Sequence, residues 1–148
     1  MKRRVLPPAI LFASLVVMVA LHYLLPAKRL IGFPWTVLGA IPLLAGVLLN
    51  LAADRALKTH GTTVKPFEES SVLVTGGVYA ISRHPMYLGF MLVLIGVALS
   101  MGSLTPFAVI PPFAVLMECV FIRVEEGMLE EKFGRYWLAY KVRVGRWL

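Results

Sequence analysis

The chain has 148 residues, 59% of them hydrophobic, with a mean hydropathy of +0.80 and a net charge of +7. Soluble domains run at about 45–50% apolar residues, and a chain of this length supports one domain, so a water-soluble core is excluded and lipid is the expected solvent. The single Cys119 excludes an intramolecular disulfide, and His22, His60 and His84 are too scattered to predict a metal site.

Four apolar segments are candidates to cross a bilayer, which takes roughly 20 helical residues. The first runs over about residues 5–25 and is too long, with no small-x-small site after it, to read as a cleaved signal. The second runs over about 34–53. The third opens at Pro85 and fades near Met101, and the fourth covers about 106–122. The stretch MGSLTP joins the last two as a tight turn, predicting a helical hairpin. The architecture expected is thus all-α and membrane-embedded: about four transmembrane helices in one domain over 1–148, with a loop at 54–84 and a C-terminal segment at 123–148.

Charge orients these spans. Thirteen of the fifteen cations fall on one side: Lys2, Arg3 and Arg4, then Arg55, Lys58, Lys65 and Arg83, then Arg123, Lys132, Arg135, Lys141, Arg143 and Arg146. Lys28 and Arg29 fall on the other. The positive-inside rule places both termini and the 54–84 loop in the cytoplasm. This accounts for the basic balance, so no nucleic-acid partner is expected. Glycines pair at a spacing of seven, Gly39 with Gly46 and Gly89 with Gly96, close to two helical turns. Such pairs let membrane helices approach closely; at Gly89 the alternative is room for a ligand.

Seven of the eight carboxylates lie on the predicted cytoplasmic side: Asp54, Glu68, Glu69, Glu125, Glu126, Glu130 and Glu131. Glu118 is the exception, within the fourth span, where an ionisable group is costly and faces a cavity or a partner. Pairing with a neighbouring helix and a direct role in the site are both open for it. Glu118, Ile122, Glu125 and Glu126 follow i, i+4, i+7, i+8 spacing and share a helical face. Successive residues still point roughly 100° apart, so Glu125 and Glu126 are not expected to face one point.

In the stretch RHPMYLG, the residue before proline is pushed out of the helical region and proline suits the first helical turn. His84 then ends a loop and Pro85 opens the third helix, whose free N–H groups form a partly positive mouth. Arg83, His84 and Tyr87 put donors there. An interface anchor at headgroup level explains the same residues. The last segment repeats Leu129, Phe133, Tyr136, Trp137, Tyr140 and Val144 at helical spacing with Lys and Arg between them. That predicts an amphipathic helix in the interface, or folded back as a roof, with Gly134 as a break.

The ordered set LVTGGVYAISRHPMYLG, then EE, then FGRYWLAYKVRV resembles the superfamily of isoprenylcysteine carboxyl methyltransferases and phospholipid methyltransferases. The match covers about residues 62–148; the first two spans match in character alone. The resemblance implies a small helical membrane bundle that uses S-adenosylmethionine, held on the cytoplasmic side under the C-terminal segment. It implies cofactor contacts from Ser71, Val72, Leu73 and Val74, largely through backbone, from Tyr79, from His84, Pro85, Met86 and Tyr87, and from Glu125, with Glu126 beside it. Arg83 and Glu125 are the candidate catalytic residues. Where the eukaryotic carboxyl methyltransferases carry an arginine facing the substrate carboxylate, this chain has Phe121; Arg123 is nearest but lies on another face. A prenylcysteine carboxylate is therefore not the acceptor this position supports.

The physical chemistry agrees with the resemblance. A sulfonium and an ammonium favour an acidic pocket, and a carboxylate favours helix N–H groups, Arg or His. In-line methyl transfer requires alignment and exclusion of water rather than a covalent nucleophile. The expected partner is a lipid or other lipophilic acceptor entering from the membrane. Two alternatives stand beside this reading: an NADPH-binding membrane reductase related to sterol reductases, and a non-catalytic membrane module. The acceptor, the atom methylated and the oligomeric state are not fixed by the sequence.

Overall fold

The computed structural model describes residues 6–25, 27–62 and 70–148. Lys2, Arg3, Arg4, Lys65, Glu68 and Glu69 lie outside the described residues. All regular structure among those described is helical, apart from an isolated bridge between Arg29 and Ser103.

Helix α1 spans Pro7–Leu24 and begins with proline in its first turn, where a missing N–H costs nothing. Helix α2, Ala40–Thr59, follows a 3-10 turn at Trp35–Gly39 and runs past the expected end at Ala53. Helix α3 spans Pro85–Met101, with the bounds its punctuation predicts. His84 precedes it in a non-helical conformation (φ −127°, ψ 60°), and Gly102 closes it in the left-handed region (φ 69°), donating to the carbonyls of Ala98 and Leu99.

The fourth span differs from expectation. A helical run of 29 residues continues from Thr105 to Phe133. It comprises a 3-10 turn (Thr105–Val109), α4 (Ile110–Leu116), a π-helical turn (Met117–Ile122) and α5 (Arg123–Phe133). The apolar run ends near Ile122, but Glu, Met, Leu and Lys are good helix formers, so the helix outlasts its hydrophobicity. In the π turn Arg123 N–H donates to Glu118 O, five residues back. Gly134, at φ 48°, breaks the chain before α6, Arg135–Arg143.

Three of these helical runs are long and apolar enough to cross a membrane: Pro7–Leu24, Trp35–Thr59 and Thr105–Phe133. Helix α3 is a shorter apolar helix of 17 residues. Large apolar side chains such as Phe12, Leu44, Leu48 and Val115 stay exposed on the outer faces, as lipid contact requires.

The glycines form a seam between α2 and α3. A Cβ on Gly46 would sit 2.5 Å from Gly89 O, and one on Gly96 2.7 Å from Gly39 O. Backbone meets backbone here, so no side chain fits. Helix α3 packs principally on α2, rather than chiefly forming a hairpin with the fourth run. The main core lies on its other side, where Phe90, Leu94 and Ala98 meet Met18, Phe113, Met117 and Phe121.

One end of the bundle is tied by backbone bonds. Leu30 and Ile31 donate to Gly102 O, Leu104 donates to Lys28 O, and His22 Nδ1 lies 2.6 Å from Ser103 Oγ. At the opposite end α6 folds back over the loop that precedes α3. Trp137, Tyr140 and Val144 are buried there against Leu73, Leu129 and Phe133. Tyr136, expected on the same stripe, is 81% exposed, because Gly134 resets the helical phase between α5 and α6.

Candidate active site

The polar end is assembled from three segments. The loop before α3 supplies Arg83 and His84, the first turn of α3 supplies Tyr87, and α5 supplies Glu125 and Glu126. The C-terminal tail locks them together. Arg83 N–H donates to Gly145 O at 3.0 Å, Ser82 Oγ donates to Arg146 O at 3.2 Å, and His84 N–H donates to Ser82 Oγ at 3.1 Å. Tyr140 reaches in from α6 to donate to Tyr79 O at 2.6 Å, and burial pushes its own phenol up to about 12.

His84 stands between two carboxylates. Its Nδ1 lies 3.5 Å from Glu125 Oε2 and its Nε2 lies 3.3 Å from Glu126 Oε1. The two glutamates therefore do meet at one group, contrary to the expectation from helical rotation: a flat ring with a nitrogen on each side spans the angle between them. Burial works to lower the imidazole pKa, but the hydrogen bonds and charges of Glu125 and Glu126 outweigh it and raise it. The imidazolium form suits this place, since it alone has a donor for each carboxylate.

Glu126 is the hub. Its side chain is 6% exposed and is met by Arg83 Nη2 at 3.3 Å, by His84, and by Arg146 through Nε at 3.1 Å and Nη2 at 2.6 Å. Arg146 also donates through Nη1 to Glu118 Oε1 at 2.5 Å. The carboxylate inside the fourth span thus finds its partner in the C-terminal tail and not in a neighbouring helix. Arg146 was not singled out from sequence: it stands twenty residues beyond Glu126, and no periodicity connects them.

Glu125 faces the other way. Tyr87 OH donates to its Oε1 at 2.5 Å, and it lines a cavity of about 590 Å³. Of the residues expected at a site, this cavity takes in Val72, Leu73, Val74, Tyr79, Arg83, His84, Pro85, Met86, Tyr87 and Glu125. Ser71 and Glu126 are not in its wall. Ser71 is exposed and tied to Gly61 O and Thr62 Oγ1, and Glu126 lies behind the wall as its support. Burial raises the Tyr79 phenol pKa and the Glu125 charge raises it further, so Tyr79 stays a neutral donor.

The cavity lining is mixed: Leu6, Pro7, Pro8, Leu57, Met86 and Phe90 bring apolar side chains to it, and Arg83, His84, Tyr87 and Glu125 bring polar ones. Trp137 and Tyr140 line it from α6; sequence periodicity showed these two as an apolar face, although each also carries a polar atom, and that of Tyr140 is bonded to Tyr79 O. Among the described residues, three buried donors are without a protein partner at this end: Arg83 Nε, Arg83 Nη1 and Trp137 Nε1. Phe121 is 1% exposed, with its ring 6.2 Å from that of Tyr87, and belongs to the core.

The phospholipid methyltransferase family model matches residues 34–136. The chain is similar to the protein-S-isoprenylcysteine O-methyltransferase of Saccharomyces cerevisiae, 39% identical over an alignment of 114 residues that covers 74% of this chain and 47% of the yeast protein. It is 40% identical over 80 residues to protein-S-isoprenylcysteine O-methyltransferase B of Arabidopsis thaliana, covering 52% of this chain and 39% of that protein. Its fold resembles the solved structure of the eukaryotic intramembrane Ras methyltransferase ICMT, with a TM-score of 0.72 and 28% identity over 95% of this chain and 51% of that one. The chain spans about half the length, or less, of the curated relatives it matches.

Proposed function

Since the chain belongs to the phospholipid methyltransferase family, we propose that it works as one membrane unit catalysing S-adenosylmethionine-dependent methyl transfer to a lipophilic acceptor, with its site at the cytoplasmic end. The observation that carries this is one cavity lined both by Glu125, Tyr87 and His84 and by the apolar Leu6, Pro7, Pro8, Leu57 and Phe90. The donor set fits the cofactor: a carboxylate in the wall complements a sulfonium or ammonium, and the apolar lining suits a purine. When bound, S-adenosylmethionine supplies an electrophilic methyl group on sulfur.

The chain's own residues then have definable tasks. Tyr87 and His84 hold the Glu125 carboxylate from two sides, so its charge is fixed before a ligand arrives. Glu126, clamped by Arg83 and Arg146, fixes His84 in turn. The apolar lining excludes water and receives the acceptor from the lipid. Alignment, not covalent chemistry, is what this arrangement provides.

The relatives are named for prenylcysteine carboxyl methylation, but Phe121 in the core argues for a different acceptor end group. A reductase reading is less well supported, since nucleotide phosphates would meet Glu125 and Glu131 in the cavity wall. The test is transfer of labelled methyl from S-adenosylmethionine to a lipid extract of the host, with a prenylcysteine in parallel. Label in the lipid fraction is expected. No label in any fraction, from protein that stays folded, contradicts the proposal.

A further inference from the structure

Glu118 and Glu125 stand seven residues apart, and Glu118 and Glu126 eight. In a regular α-helix, at roughly 100° per residue, the first pair shares a face and the second is roughly 80° apart. The structure has the opposite pairing. Glu118 and Glu126 meet on one guanidinium, that of Arg146, which gives Nη1 to the first and Nε and Nη2 to the second. Glu125 instead accepts from Tyr87 and lines the cavity. The π turn at Met117–Ile122 accounts for the exchange. A turn bonded from i to i+5 takes in one residue more than an α turn. Past that turn the helix winds from Glu118 to Glu126 as a shorter α segment would, which brings the two within about 20° and leaves Glu125 about 120° from Glu118.

The ion pairs hold that phase. Glu118 lies within the fourth span, where a carboxylate needs a partner. Its side chain is 20% exposed; Arg146 lies at 2.5 Å, whereas Arg123 is 66% exposed and lies at 3.8 Å. Arg146 is in turn pinned through the backbone of the tail: its own carbonyl accepts from Ser82 Oγ, and that of Gly145 accepts from Arg83 N–H. The guanidinium is thus a strut between the loop before α3 and two points on the fourth run, one inside the π turn and one beyond it. A planar fork that engages two carboxylates at once fixes their relative rotation, which a point charge does not. Among the described residues, neither Glu118 nor Arg146 is in the cavity wall.

We infer that Glu118 is a positioning residue for the site: through Arg146 it locks α5 in the phase set by the π turn, so that Glu126 faces the His84 loop and Glu125 faces the cavity. Its effect on a ligand rests on the cofactor reading above. Its effect on His84 does not, since the imidazole stands between the two glutamates in the free protein.

The test uses the full chain in detergent, with NMR of labelled histidine rings in the absence of ligand and calorimetry of S-adenosylhomocysteine binding. His22, at the far end of the bundle, is the internal control for folding. Glu118→Gln keeps the shape and removes the charge. It is expected to shift the His84 ring signal and leave that of His22 in place. It is also expected to weaken S-adenosylhomocysteine about two- to thirtyfold, the range for residues that act through a network and not by contact. Arg146→Gln is expected to do the same, and the double variant to bind no more weakly than Arg146→Gln alone, because one residue acts through the other. Arg146→Lys keeps the charge without the fork and is expected to behave as Arg146→Gln; it is the background for the double variant if Arg146→Gln fails to fold. A His84 signal unmoved by Glu118→Gln, losses that add in the double variant, or wild-type behaviour of Arg146→Lys overturns the inference and leaves the proposed function standing. Folded wild type that binds no S-adenosylhomocysteine overturns the cofactor reading, and the His84 signal still decides the inference.

Discussion

The two ends of the bundle each present a histidine near a helix end, and they are built on opposite principles. At the Ser103 end, His22 meets one hydroxyl, and backbone N–H groups of Leu30, Ile31 and Leu104 close the gap between α1 and the turn after α3. At the Glu126 end, His84 sits among two carboxylates and two arginines, and, among the described residues, three buried donors stay open. A connection needs its polar groups satisfied. A site needs some of them held ready and unsatisfied, and the charge network around Glu126 keeps them in place.

The sharpest way to break this contrast is at the hub. Glu126→Ala leaves Arg83, His84 and the partly buried Arg146 without their shared partner. Removing one member of a buried ion pair costs about 3–5 kcal/mol, so a large drop in the unfolding temperature in detergent is expected. The same change at Glu125 separates function from scaffold. Glu125 is the more exposed of the two, at 23% of its side chain. Glu125→Gln is expected to weaken S-adenosylhomocysteine binding roughly ten- to a hundredfold while costing much less stability than Glu126→Ala. Calorimetry and thermal unfolding on both variants check the pair.

A smaller effect follows from protonation. The folded pKa of His84 is raised above its ordinary 6.5. Its contribution to stability is therefore fully present below 6.5 and is lost as pH rises through the raised value. The unfolding temperature is expected to fall over that alkaline-going window, and His84→Asn is expected to lack that component of the slope. The smallest effect belongs to the other end. Ser103→Ala removes the bond to His22, is expected to cost about 1 kcal/mol, and leaves ligand binding unchanged in the same titration.

What could be read from the sequence divides along similar lines. Pro85 and Gly102 punctuate α3 by local backbone chemistry, so its bounds were legible; the glycine pairs marked a close-packing face on each of α2 and α3, but not that these two faces meet, since the turn MGSLTP pointed to the fourth span as the partner of the third. The polar end was legible as a set of motifs, but its wiring was not. Arg146 reaches Glu118 and Glu126 through a fold-back of the tail, and no local pattern encodes a contact across that separation. The π turn at Met117–Ile122 has no residue-type signature, so the end of the fourth span was placed where the apolar run stops. Ser71 lies outside the cavity wall, and its hydroxyl donates to Gly61 O, a contact that its place in the motif does not reveal.

Titration of the purified full chain with S-adenosylhomocysteine, and separately with NADPH, tests most directly that the Glu125 end is a methyl-donor site. Binding of the adenosyl compound with no heat from NADPH, and loss of that binding in Glu125→Gln, is the result predicted. Binding of NADPH in its place, or of neither compound by folded protein, would contradict it.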